Sequence, residues 1–172
     1  MLRHDAAAAR ERRRERRAHA DYTGGVYGSM VAATVVIGAG TLGSFPRLEL
    51  VLLLMLSGVA FWVAHVHAHL FGARLAQQAL DRHTVLHVCR DEWPIVKAAV
   101  PPSLAVAVSP LLGLDVTGAL WLAASVAVAG QVGWSVAASR RAGAAPRDIL
   151  LTASVNLVLG LLIMSFKIVV KP

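Results

Sequence analysis

The chain has 172 residues, the length of one ordinary domain, yet 56% of them are apolar and only 16% charged, against roughly 45–50% and about 25% in a soluble domain. With a mean hydropathy of +0.61, that balance excludes an ordinary water-soluble core. The net charge of +7 would suggest a nucleic-acid partner in a soluble protein, but seven of the basic residues are Arg3, Arg10, Arg12, Arg13, Arg14, Arg16 and Arg17, beside the first apolar run, where the positive-inside bias accounts for them and no nucleic-acid partner is expected.

Taken in chain order, residues 1–25 read as a basic cytoplasmic tail, suited to anionic lipid. Residues 26–172 read as an all-α, polytopic membrane domain of five helices, because five apolar stretches approach the ~20 residues that cross ~30 Å of hydrocarbon. The first, about Tyr27–Gly43, carries Gly28, Gly38, Gly40 and Gly43, as in a helix tilted or tightly packed on a neighbour. Its Gly38-Ala39-Gly40-Thr41-Leu42-Gly43 spells a dinucleotide fingerprint, but Pro46 follows and no acidic residue stands about 20 positions on, so small-residue packing is the expected role.

The second span, about Leu48–Phe71, holds His65, His67 and His69. At about 100° per residue, His65 and His69 share a face with Met55, Gly58 and Trp62, and His67 points away. Two imidazoles at i and i+4 can bind a divalent transition metal or pass a proton, and Met55 can add a thioether. Ionisable groups at membrane depth are functional by default, although near the headgroups they also serve as plain hydrogen-bonding residues.

Periodicity continues past Phe71, predicting a cytoplasmic helical extension over 72–93, with a bend at Gly72. There His83, His87 and Asp91 recur at i, i+4 and i+8, which is metal-ligand spacing and equally a solvated face. The single cysteine, Cys89, excludes an internal disulfide.

The third span, about Ile95–Leu114, carries Pro101, Pro102 and Pro110 and is expected to kink. Lys97 lies near its start and snorkels. The fourth and fifth spans, about Val116–Ala138 and Ile149–Val170, contain Gln131 and Asn156, suited to bonds between helices or to lining a path. Basic residues alternate as five spans require: seven Arg in the tail, then Arg74, Arg82 and Arg90, then Arg140, Arg141 and Arg147 on one side, against Arg47 and Lys171 on the other. The N-terminus is therefore expected in the cytoplasm and the C-terminus outside. The tail is too long for the n-region of a signal peptide, so the first span is expected to stay uncleaved. Arginine outweighs lysine and no organelle signal is recognised, which suggests a bacterial inner membrane. No nucleophile elbow, phosphate loop or intramembrane carboxylate pair proposes an enzyme.

The five-span order, the extension after span two and the short turn between spans three and four resemble the vacuolar iron transporter family. Tyr27-Gly28-Ser29-Met30 with Gly38 and Gly40 is similar to that family's first span, Gly58, Ala64 and Gly72 to its second, and Ala98-Ala99, Ser103 and Pro110-Leu111-Leu112 to its third. The resemblance implies a metal transporter whose first and second spans carry acidic residues. Here those positions hold no Asp or Glu, Ala73 follows Gly72, and the extension offers only Asp81, His83, His87, Asp91 and Glu92 as ligands. That pattern fits a relative moving another ion, or one that has lost transport.

The sequence thus leads to a transporter-like membrane protein for a cation or divalent metal, with His65 and His69 at its inner mouth. The alternative is a non-transporting scaffold or accessory subunit whose Arg-rich tail binds anionic lipid or a protein partner. A homodimer or higher homo-oligomer is expected, since five short helices leave little room for a pathway in one protomer.

Overall fold

The computed structural model describes residues 2–43, 45–77 and 81–169, with side chains from Tyr22 onward apart from those at 167 and 168. Among the described residues six α-helices follow one another: α1 (Leu2–Leu42), α2 (Arg47–Leu75), α3 (Arg82–Asp91), α4 (Pro94–Val108, continued as a 3-10 turn over Ser109–Leu112), α5 (Val116–Arg141) and α6 (Pro146–Val169). Five runs of these residues are long and apolar enough to cross a membrane: Tyr22–Leu42, Arg47–Leu75, Arg82–Leu112, Val116–Arg141 and Pro146–Phe166. These coincide with the five expected spans to within a few residues, except that α3 extends the third. No strand occurs among the described residues.

Local chemistry explains where the helices begin and end. Asp81 and Asp115 cap α3 and α5, their carboxylates accepting from the amides of Thr84 at 2.8 Å and Gly118 at 2.7 Å. Pro94 opens α4, where its missing amide costs nothing. Gly113 (φ 67°) ends the 3-10 turn in the left-handed region that an L side chain resists. Helix α2 runs through Gly72 to Leu75, and the chain then turns at Gln77, itself at φ 54°.

Helices α1, α4 and α5 form the centre; α2 packs on α4 and α1, and α6 on α5 and α1. Lipid tails are as apolar as leucine, so helices in a bilayer associate by close packing rather than by the hydrophobic effect. The core is accordingly rich in small residues: Ala32 and Ala33 of α1, Ala105 of α4, and Ala123, Ala124 and Ala127 of α5 are all buried, among larger side chains such as Val36, Leu54 and Val106. At Gly28 a Cβ would lie 2.7 Å from the Ile95 carbonyl oxygen and 2.8 Å from the Ala98 Cβ, so α1 and α4 touch backbone to backbone. Gly25 meets the Trp134 ring in the same way. Within the Gly38 motif, Ala39 is buried in the core, whereas a Cβ at Gly38 would meet nothing within 4 Å.

Helix α4 passes through Pro101 and Pro102 as one helix, and Ser103 donates to the Ala99 carbonyl at 2.8 Å. At one end of the bundle Arg47 donates from Nη2 to the Leu114 carbonyl at 2.7 Å and from Nε to Ser109 Oγ at 3.3 Å. At the other end Tyr22 stacks edge-on with Trp134 and accepts a bond from Arg141. This second end also carries Arg74, Arg82, Arg90, Arg140 and Arg147, all exposed, and is called the basic end below.

Candidate functional site

The histidines of α2 lie toward the basic end, each with a partner of its own. His65 is half-buried; its ring lies 4.5 Å from that of Tyr27 on α1, and its Nδ1 is 3.2 Å from the Phe61 carbonyl one turn back. His69, one turn further, leaves α1 and reaches the junction of α3 and α4, where Nδ1 stands 2.8 Å from Oε1 of Glu92. His67 faces away from both and stacks on Phe71. Helical spacing sets His67 apart from the other two, and His65 and His69 in turn engage different elements, α1 and the junction of α3 and α4. Met55 is half-buried, about 15 Å along α2 from His65.

The second row lies along α3. His87 Nδ1 is 2.7 Å from Asp91 Oδ2, and the His83 and His87 rings are 6.3 Å apart. The i, i+4, i+8 spacing thus places the three side chains in sequence along one face. Among the described residues, no three His, Cys, Asp or Glu side chains come close enough together to hold a metal ion.

Two further residues, both noted in the sequence, complete this region through contacts that spacing does not give. Glu92 is the partner of His69 across 23 positions, and Trp62 donates from Nε1 to the Cys89 carbonyl at 2.9 Å while stacking at 90° on Trp93. Trp62 was visible on the same face as His65 and His69; the turn that returns Glu92 to that face was not. Together Trp62 and His69 fasten α3 across the end of α2.

The polar residues at mid-depth form a separate group. Gln131 is fully buried and donates from Nε2 to the Asn156 carbonyl at 3.1 Å and to its Oδ1 at 3.3 Å. Its own Oε1 has no hydrogen-bond partner. Turning the amide over would set that oxygen against two acceptors, so the pair acts as a donor link from α5 to α6. Neighbouring hydroxyls are already used within their own helices, Ser29 to Gly25 and Ser135 to Val132. The tail arginines to which lipid binding is assigned have side chains outside the described residues.

Comparison with protein-family profiles, curated proteins and solved structures finds no match.

Proposed function

We propose that this chain is a membrane-embedded scaffold or accessory subunit that works by presenting its outer helical faces and its basic end to other molecules. The observation that carries this reading is the closed centre of the bundle. Where α1, α4 and α5 meet, Gly28 leaves no room for even a methyl group against Ile95, and alanines fill the layers beyond. The outer helix α6, by contrast, has only 6% of its apolar window buried by the rest of the chain, so most of its surface is free to meet lipid or another helix.

A second reading retains cation transport, because one observation favours it. The His69–Glu92 pair supplies an imidazole and a carboxylate at the end of a span, a combination that can hold a cation or pass a proton. On that reading the path runs along the outside of the bundle, between copies of the chain, and the transition metal is cargo.

The test is flux. The purified chain in sealed vesicles should move Fe²⁺, Mn²⁺, Zn²⁺ and protons no faster than empty vesicles do. In a Cys89→Ser background, Leu157→Cys or Leu161→Cys on α6 should give a discrete cross-linked species in native membranes. Flux that disappears in His69→Ala and in Glu92→Gln would overturn the scaffold reading in favour of transport.

A further inference from the structure

We propose that α3 is an interfacial helix whose outward face, Arg82–Leu86–Arg90, binds the headgroup of an anionic phospholipid. Measured along α2 from Arg47 at 1.5 Å per residue, Trp62 lies about 22 Å and His69 about 33 Å away. Helix α3 is fastened at these two levels, through Cys89 and Glu92. A hydrocarbon layer of ~30 Å ends between them. Pro94–Leu112 alone rises about 28 Å, enough to cross that layer without α3. The Trp62–Trp93 pair, with ring centroids 5.4 Å apart, sits at the same level, where amphipathic indoles collect.

The surface chemistry of α3 then selects the partner. Val85, Val88 and Cys89 are half-buried, whereas Arg82, Leu86 and Arg90 recur every four residues along one line of the helix and are exposed, Leu86 by 69%. An apolar residue held outward between two cations is unfavourable in water and favourable at a headgroup boundary. The nearby carboxylates have partners of their own: Asp81 caps the helix at Thr84, Asp91 is engaged by His87 and Glu92 by His69, and among the described residues neither arginine side chain makes an ion pair or hydrogen bond. Each arginine lies about 6 Å along the axis from Leu86, so one phosphate above Leu86 is within reach of both guanidinium groups. Leu86 lies against the upper part of the acyl chain. This site is distinct from the tail and does not depend on whether the bundle transports anything.

The experiment uses the full chain in neutral detergent micelles supplemented with phosphatidylcholine, titrated with phosphatidylglycerol, and counts retained lipid by native mass spectrometry. At roughly a fivefold factor per arginine near an anionic surface, Arg82→Gln/Arg90→Gln should weaken phosphatidylglycerol retention on the order of 30-fold. Arg82→Lys/Arg90→Lys should keep most of it. Replacing Arg12, Arg13, Arg14, Arg16 and Arg17 by Gln should leave this component in place. In the parent, raising the salt from low to high concentration should reduce retention, which tests the charge argument without any variant. Retention in the double Gln variant equal to that of the parent would overturn the proposal. So would displacement of the lipid by millimolar inorganic phosphate, which would mean an anion site with no preference for the membrane, or equal retention of phosphatidylcholine.

Discussion

Replacing Gly28 by Ala tests the packing on which the closed bundle rests. The new methyl would approach the Ile95 carbonyl to 2.7 Å where ordinary contact begins at 3.4 Å, so α1 and α4 must part by about 0.7 Å. Overpacking of this kind costs typically 1–3 kcal/mol. The same exchange also removes the intrinsic penalty of glycine in a helix, about 0.8–1.0 kcal/mol, so the measured loss understates the clash. Gly38→Ala supplies the correction, because it makes the same chemical change in the same helix with nothing within 4 Å of the added carbon. The propensity gain cancels between the two variants. Their difference, about 1–3 kcal/mol in favour of Gly38→Ala, is the steric term alone. Reversible unfolding in mixed micelles, by titration with a denaturing detergent, measures both, and Gly58→Ala, at 3.1 Å from the Ala99 Cβ, should fall between. Equal stability of Gly28→Ala and Gly38→Ala would refute the close contact of α1 with α4.

A reporter active only in the cytoplasm should be active when fused at Arg82 or Arg141 and silent after Pro172; activity at the C-terminus would contradict the five-span orientation. A double-mutant cycle of Gln131→Leu with Asn156→Leu, read by the same unfolding assay, should give a coupling of about 0.6–1.7 kcal/mol, and additive losses would mean that the two amides do not hold α5 to α6. His69→Ala and Glu92→Gln should couple by only about 0.2–1 kcal/mol, because His69 is 63% exposed and its contact with Glu92 is open to water; a much larger value would place the pair in a drier setting. Hydrogen bonds from the Thr84 hydroxyl and amide hold the Asp81 carboxyl below its ordinary 3.8. A depressed folded value contributes stability that is present above 3.8 and is lost as the pH falls through the folded value. Amide exchange at Thr84, corrected for the intrinsic rate, should therefore quicken at acid pH in the parent, and the step should be absent in Asp81→Ala.

Hydropathy and charge alternation made the number and extent of the spans legible, since both are one-dimensional properties of the chain. The packing inside the bundle was much less so. Every face of a membrane helix is apolar, and α2 shows no polar stripe to mark the side on which Leu50, Leu54 and Gly58 are buried. For the same reason the glycines of α1 were all plausible contact points, while only the geometry separates Gly25 and Gly28, which touch neighbours, from Gly38, which does not. At the candidate site the inward face of His65 and His69 and the opposite turn of His67 followed from the helical period. The partner of His69 depended on the turn after α2, which brings Glu92 to it. No local spacing encodes that turn.

Arg47 stands in the first outer loop by the sequence count, and counted as a free cation it weakens the charge difference between the two sides of the membrane. Its guanidinium is instead spent on the Leu114 carbonyl and Ser109, just beyond the end of α4, where the partial negative charge of a helix end gathers. A positive charge fixed against a negative dipole projects little field into the surroundings. In the folded protein the difference in free positive charge between the two ends of the bundle is therefore larger than a tally of arginines suggests, because Arg47 is held against a helix end within the same chain.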